Sequence, residues 1–245
     1  MSAKEGIDSV SKTLRLLGLM AAHNGELTVT QIAQQLDCSV SSANRFLQTL
    51  EQEGFAGKNA QTRRYELSRR LYVLGAKLVA NDPNVQKLIP LAHAISQKYD
   101  VSVNINTMLG REALLLFRVT RYYNKDLDFF SGETAPAYCT SSGKVILAQL
   151  NDRQLDEYFN GLQIRAYQKQ PITEEELRAE LRTTRQRGYA LCQEEYVSGV
   201  FSMSFPYRDL AGHLYAFTLI APIREKKRIV QPEILREIRQ RLEQL

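Results

Sequence analysis

Sulfur and imidazole are scarce in this chain of 245 residues, which has three cysteines and three histidines. Cys38, Cys139 and Cys192 are far apart, odd in number and in no CxxC pair, and no histidine falls at metal-ligand spacing. That pattern argues against a zinc site, and neither a metal nor an organic cofactor is expected. Long apolar runs are lacking too. The longest nearly unbroken one, Leu214 to Ile223, is about half of the roughly 20 residues a spanning helix needs. The opening MSAKEGIDSV mixes both charge signs without an apolar core, so neither a secretory signal nor a membrane span is expected. Free thiols in such a chain fit a reducing cytoplasm. Excess charge of one sign is small: the formal net charge of +5 permits nucleic acid as a partner without demanding it.

What the chain does have, at its beginning, is helical periodicity. Val10, Leu14, Leu17 and Ala21 fall at intervals of four, three and four and predict one apolar stripe, closed by an Asn24-Gly25 turn. TQIAQQL predicts a second, shorter helix capped by Thr30, with Ile32, Ala33 and Leu36 facing inward. Ser39 is placed to cap a third helix that buries Ala43, Phe46, Leu47 and Leu50 and stops at Gly54. That leaves Ser41, Ser42, Asn44, Arg45 and Gln48 outside, none of them negative. Such side chains hydrogen-bond base edges and phosphates, and a helix carrying them fits a groove about 12 Å wide. A plain solvated helix is the competing reading.

The next element favours the first. From Phe55 the run AGKNAQTRRYEL predicts a two-stranded hairpin carrying Lys58, Arg63 and Arg64, with Arg69 and Arg70 just beyond. A basic ribbon beside a polar helix is a winged helix-turn-helix, whose wing reaches backbone phosphates. The expected DNA contacts are therefore Ser39, Ser41, Ser42, Asn44, Arg45, Gln48, Lys58, Arg63 and Arg64.

Leu71, Leu74 and Leu78 then share one face of a linker helix before Asn81-Asp82-Pro83 breaks the chain. Three parts are expected: a DNA-binding domain over 1–67, a linker helix over 68–82 and a second domain over 83–245. One recognition helix reads few bases, so a symmetric homodimer or dimer of dimers on paired half-sites is expected.

Beyond residue 100 the period changes to two. VSVNINTML and FSMSF alternate, ALLLFRV and LYAFTLIAP are nearly continuous apolar strands, and Thr173 with Glu176 predicts a capping box for a helix ending at Gly188. A last helix opens at Pro232 with Leu235, Ile238 and Leu242 on one stripe. The fold class expected is α+β: the winged domain followed by a GAF-like α/β domain.

The stretch CTSSGKVILA, Cys139 to Ala148, invites three readings. A Walker loop needs glycine five positions before Gly143, where Tyr138 stands, and Ser or Thr after Lys144, where Val145 stands. An acyl-serine enzyme using Ser141 and Lys144 should carry Ser-Asp-Asn and Lys-Thr-Gly boxes, and neither tripeptide occurs. The third reading has Thr140 or Ser141 capping a helix whose first N–H groups lack internal partners, with small side chains letting an anion approach. An ordinary capped helix packed on the sheet remains its alternative. No catalysis is expected; the rival functions are the acyl-serine enzyme and a sensory or scaffold protein gripping another protein.

The segments LTVTQIAQQLDCSVSSANRFLQTLEQEGF and RRYELSRRLYVLGAKL resemble the amino-terminal domain of the IclR family of bacterial transcriptional regulators. Ser41, Ser42, Arg45, Leu47, Leu50 and Glu51 occupy the family's places. Ser68 stands where glycine usually closes the wing, and Val40 where lysine is common. APAYCTSSGKVILA and RGYALCQEE, with Gly199, Pro206, Gly212 and Pro222 in register, are similar to its effector domain. The resemblance implies a regulator whose operator binding responds to a small carboxylated metabolite, with repression the expected sign.

It also implies that Thr140, Ser141, Ser142, Gly143, Cys192, Ser202 and Thr218 form the effector site. Cys192 replaces an aspartate there, Ser202 a cysteine and Ile220 a serine. Those losses of polarity point to an organic or sugar acid larger than two or three carbons. Tyr122, Tyr123, Phe129, Phe130 and Tyr138, in the segment expected to cover the site, would accept a ring or a sugar acid, with ordinary core as the alternative reading.

Overall fold

The structure, a computed structural model, describes residues 6–23, 27–121, 130–168 and 172–245. The chain divides into two compact units, Met1–Val79 and Ala80–Leu245, a division that falls within the linker expected over 68–82.

In the first unit three helices, α1 (Asp8–Ala22), α2 (Val29–Gln35) and α3 (Val40–Gln52), precede a ribbon of β1 (Ala56–Lys58) and β2 (Tyr65–Leu67). Helix α2 starts two residues earlier than its sequence suggests. Thr28, not Thr30, is the cap: its hydroxyl accepts the Gln31 N–H while Gln31 Oε1 accepts the Thr28 N–H, a reciprocal pair that Thr30 could not make. Asp37, in a left-handed conformation (φ 49°), turns the chain sharply into α3. Ser39 caps α3 as expected, and Gly54 (φ 74°) ends it.

The core joins Leu16 and Met20 of α1 to Ile32, Ala33 and Leu36 and to Ala43, Leu47 and Leu50, with Ala56 and Tyr65 from the ribbon. Phe46 packs against it partly buried. The stripe expected on α1 is corrected. Val10, Leu14 and Ala21 face outward and Leu17 is half-buried, whereas Leu16 and Met20 are sealed. LRLLGLM offers apolar residues at helical spacing on two sides, and only the packing of α2 and α3 selects one. The Asn24-Gly25 turn lies outside the described residues. Helix α4 (Arg70–Ala80) buries no residue at all, and Leu74 and Leu78 stand open to solvent.

In the second unit α5 (Pro83–Tyr99) leads into six strands: β3 (Ser102–Leu109), β4 (Glu112–Val119), β5 (Thr134–Pro136), β6 (Ala190–Gln193), β7 (Val200–Arg208) and β8 (Leu214–Pro222). They form one antiparallel sheet in the order β5-β4-β3-β8-β7-β6. Between β5 and β6 run α6 (Ser141–Leu147), α7 (Asp152–Phe159) and α8 (Glu174–Arg187); α9 (Lys226–Ile229) and α10 (Pro232–Glu243) close the chain.

Period-two alternation sorts the sheet's two faces. Val103 and Ile105 of β3, Phe201, Met203 and Phe205 of β7, and Phe217 and Leu219 of β8 are all buried on one face. His93 of α5 meets Phe117 of β4, the cross-strand partner of Ile105, edge-on at 5.8 Å, so α5 covers that face. The other face carries Ser102, Asn104 and Asn106 of β3, Ser202 and Ser204 of β7, and Thr218 of β8. Helix α6 lies over it, with Val145 and Ile146 packed on Ala190 and Ala216. The polar residues of these strands are therefore not turned to bulk water. They face a helix, and five of the six are more than nine-tenths buried, Ser202 being the exception.

Candidate DNA-reading face and ligand pocket

On α3 the residues left over from the core are those expected. Ser41, Asn44, Arg45 and Gln48 are exposed and Ser42 is half-buried. Two of the serines are partly spent on folding: Ser39 Oγ accepts the Ser42 N–H at 3.1 Å and lies 2.9 Å from Ser42 Oγ. Ser41, Asn44, Arg45 and Gln48 keep their side chains toward solvent.

The ribbon pairs Ala56 with Leu67, Gly57 with Glu66 and Lys58 with Tyr65. Asn59 Oδ1 accepts the Gln61 and Thr62 N–H groups, and Arg63 takes a left-handed conformation (φ 60°), so the tip is a defined turn. Lys58, Arg63 and Arg64 are exposed, and the Lys58 ammonium sits 5.3 Å over the Tyr65 ring. Ser68 closes the wing in glycine's place by donating its hydroxyl to the Gly54 carbonyl, while its N–H reaches Phe55 O at 2.9 Å.

In the second unit α6 and the polar face of the sheet line a partly open pocket. Of the expected effector residues, Thr140, Ser141, Ser142, Cys192, Ser202 and Thr218 line it together, as does Ile220. Gly143 is not in the lining. A Cβ there would meet Ala137 Cα and O at 2.3 Å, so this glycine lets α6 press against the turn before it. Its N–H is taken by the Thr140 hydroxyl at 3.2 Å.

Within the wall the hydroxyls form a relay. Ser141 Oγ donates to Ser202 Oγ at 2.7 Å and accepts from Ser204 Oγ at 2.7 Å; Ser204 lies 2.8 Å from Thr218 Oγ1, which donates to Asn106 Oδ1 at 3.3 Å. Cys192 Sγ donates to the Cys139 carbonyl at 3.3 Å. Burial pushes both thiols up to about 12, so each is a neutral, unreactive SH at neutral pH.

Lys144 is 1% exposed, and its partners differ from those of Ser141, whose hydroxyl bonds Ser202 and Ser204. Its ammonium meets Glu180 of α8 at 2.9 Å and Glu195 at 2.5 Å. Burial opposes its charge, yet the two carboxylates outweigh that and hold its pKa above the ordinary lysine value. A lysine so paired is a cation, not a base for Ser141.

Of the aromatics expected over the site, Phe130 and Tyr138 are among the described residues, and Tyr138 takes the core alternative. Tyr138 is buried in the layer of α6, α7 and α8, its hydroxyl accepting the Arg165 N–H at 3.1 Å. Phe130 is exposed, and Tyr122, Tyr123 and Phe129 lie outside the described residues. Among the described residues, Tyr196 is the aromatic that lines the cavity. Sequence reasoning also missed Asn104, Asn106, Glu133 and Glu194 in the lining. The asparagines had a signal: they occupy the polar phase of VSVNINT, a phase that proves to be interior.

A winged helix-turn-helix unit followed by a sheet unit with a pocket between a helix and the sheet's polar face defines a ligand-responsive DNA-binding regulator. The family comparisons name the kind. The IclR helix-turn-helix domain matches residues 9–60, and the bacterial transcriptional regulator IclR C-terminal domain matches residues 79–245. The chain belongs to the IclR family of bacterial transcriptional regulators.

It is 25% identical over 212 residues to the HTH-type transcriptional regulator KdgR of Escherichia coli, covering 85% of this chain and 81% of that protein. It is 27% identical to the Pca regulon regulatory protein of Pseudomonas putida, covering 85% and 72%. Among solved structures, an IclR transcriptional regulator from Alicyclobacillus acidocaldarius superposes with a TM-score of 0.79 at 22% identity, covering 98% and 96%. An IclR homologue from Microbacterium hydrocarbonoxydans, complexed with 4-hydroxybenzoate, gives 0.78 at 18% identity, covering 96% and 98%.

Proposed function

We propose that this regulator reads duplex DNA with Ser41, Asn44, Arg45 and Gln48 of α3, contacts phosphates through Lys58, Arg63 and Arg64, and answers to a small carboxylated metabolite in the α6 cavity. The observation that carries the ligand reading is the cavity itself. It is walled by six of the seven residues expected from sequence, and a concave, largely apolar pocket with a few convergent polar groups is the usual form of a small-molecule site. The Thr140 side chain and carbonyl take the Gly143 and Lys144 N–H groups, which leaves the Ser141 and Ser142 amides as the first donors of α6. The complex of the Microbacterium homologue with an aromatic acid supports the class of ligand.

The protein acts as a homodimer or dimer of dimers. Exposed apolar residues on two helices of the first unit support this: Ile7, Val10 and Leu14 at α1, and Tyr72, Val73, Leu74 and Leu78 at α4. It works without catalysis and in the cytoplasm; no described helix is long and apolar enough to cross a membrane. Repression is the proposed sign.

The test is binding to the DNA upstream of its own gene across a salt series, with and without carboxylic acids. Affinity should fall steeply with salt, and an effective acid should shift it about 5–150-fold, the range of a 1–3 kcal/mol coupling. Affinity for that DNA that is absent at low ionic strength defeats the reading.

A further inference from the structure

Every polar residue on the pocket face of β7 and β8 is hydrogen-bonded, and one on β3 is not. Asn104 is 5% exposed and lines the cavity, yet its Oδ1 is buried with no hydrogen-bond partner. On β8 and further along β3 the polar groups are satisfied: Thr218, directly across, bonds Ser204 and Asn106, and Asn106 Oδ1 accepts from Thr218. Arg118, across on β4, is half-buried and outside the lining. A buried acceptor without a partner costs free energy unless something occupying the site donates to it.

The rest of the lining says what kind of donor. Among the described residues it contains no lysine, arginine or histidine, and its two charged members, Glu133 and Glu194, are carboxylates. Glu133 is exposed at the rim, and Glu194 Oε1 already accepts the Gly199 N–H at 2.8 Å. Asn104 shares the pocket wall with neutral amide, hydroxyl and aliphatic side chains, Leu115 and Ile220 among them, while the Arg118 cation across on β4 is outside the lining. A neutral O–H fits this environment, and an ammonium would lack a carboxylate at that depth.

We propose that Asn104 is a specificity-determining residue of the pocket, accepting a hydrogen bond from a hydroxyl of the ligand, so that the effector is a hydroxylated acid rather than its deoxy counterpart. This rests on the pocket reading above and sharpens it. Sites built to bond a hydroxyl discriminate against the analogue lacking it, because the analogue leaves the site's own polar group buried and unpaired.

The test is calorimetric titration of the full-length protein with paired acids: 4-hydroxybenzoate and benzoate, gluconate and hexanoate, lactate and propionate. For whichever pair binds, the hydroxylated member should bind at least about tenfold tighter, the loss of one buried hydrogen bond being of that order. Asn104→Leu, similar in shape and without the acceptor, should bring the ratio close to one. Asn104→Asp, which keeps an acceptor oxygen, should weaken both members through its charge yet preserve the ratio, and it tests the idea even where the leucine variant fails to fold. A ratio near one in the wild type, or an unchanged ratio in Asn104→Leu, overturns the assignment of Asn104 and leaves the pocket standing. Ser142→Leu, which fills the cavity, should abolish binding of both members; if it does not, or if no pair binds the wild type, the pocket reading falls and this one with it.

Discussion

Ser204 Oγ donates to Ser141 Oγ at 2.7 Å, tying the first residue of α6 to the middle of β7 across 63 positions of sequence. Ser141 in turn donates a hydrogen bond to Ser202, and Ser204 lies against Thr218, so the position of α6 over the sheet is set by shared hydroxyls as well as apolar packing. Buried hydroxyls in such a chain polarise one another, and removing one leaves the next unpaired. Ser141→Ala and Ser204→Ala should each cost about 1–2 kcal/mol of unfolding free energy. Together they should cost less than the sum, because either single change already breaks the bond between them. Urea unfolding of the two single variants and the double variant measures this, and strict additivity would mean the relay carries no coupling.

The DNA-reading unit was more legible from sequence than the pocket, for a physical reason. Caps, periodicity and turns act within a few residues, so Ser39, Gly54 and the basic hairpin announce themselves locally. Where two local choices competed, the expectation took the wrong one, at α2 against a capping signal present in the sequence itself. Thr28 beats Thr30 because only Thr28 has a glutamine three residues on, and Leu16 with Met20 beat Val10 with Leu14 because only they face α2 and α3. The pocket instead depends on strand order. Cys192, Ser202 and Ile220 stand in one cross-strand row, and Ser204, Thr218 and Asn104 in another, only because β3, β8, β7 and β6 are neighbours. Resemblance supplied the β6–β8 members, whereas Asn104 and Asn106 required the β3 register.

Arg45 projects from α3 into solvent, with Ser41, Asn44 and Gln48 also exposed on this helix. Arg45→Ala should leave folding intact and weaken operator binding. If the guanidinium reads a base edge, the loss is about 1–3 kcal/mol and falls on one position of the operator. If it contacts phosphate, binding weakens across all sequences and the slope of log affinity against log salt drops by about one. Fluorescence anisotropy on a set of operator variants at several salt concentrations separates the two. An unchanged affinity and slope would remove Arg45 from the interface.

Gly143 is fixed by space, not by backbone angle. A methyl group there would lie 2.3 Å from both Ala137 Cα and its carbonyl oxygen, and backbone cannot step aside as a flexible side chain can. Gly143→Ala should therefore destabilise the second unit by at least the roughly 1–3 kcal/mol typical of an overpacked core. An alanine elsewhere in a helix is normally stabilising relative to glycine, so the sign alone is informative. Thermal unfolding checks it: a melting temperature equal to or above wild type would show that α6 and the Ala137 turn are not in contact.

Lys144 is the one lysine sealed in the second unit's interior among the described residues, and Glu180 and Glu195, each about a quarter exposed, complete its charge balance. Removing the cation leaves two carboxylates facing each other across a buried space. Lys144→Met should cost at or below the about 3–5 kcal/mol seen when one partner of a buried pair is deleted, because both glutamates keep some water. Adding Glu180→Gln and Glu195→Gln to that variant should recover much of the loss, since neutral groups need no counter-charge. The effect has a defined pH window. Lys144 holds its proton more tightly folded than unfolded, so its stabilising contribution is complete below the unfolded lysine value of about 10.4 and is lost as pH rises through the higher folded value. The stability gap between wild type and Lys144→Met should thus be flat from pH 7 to about 10 and narrow above it. Chemical denaturation at several alkaline pH values tests this, and a gap that widens there would mean the folded protein favours the uncharged amine.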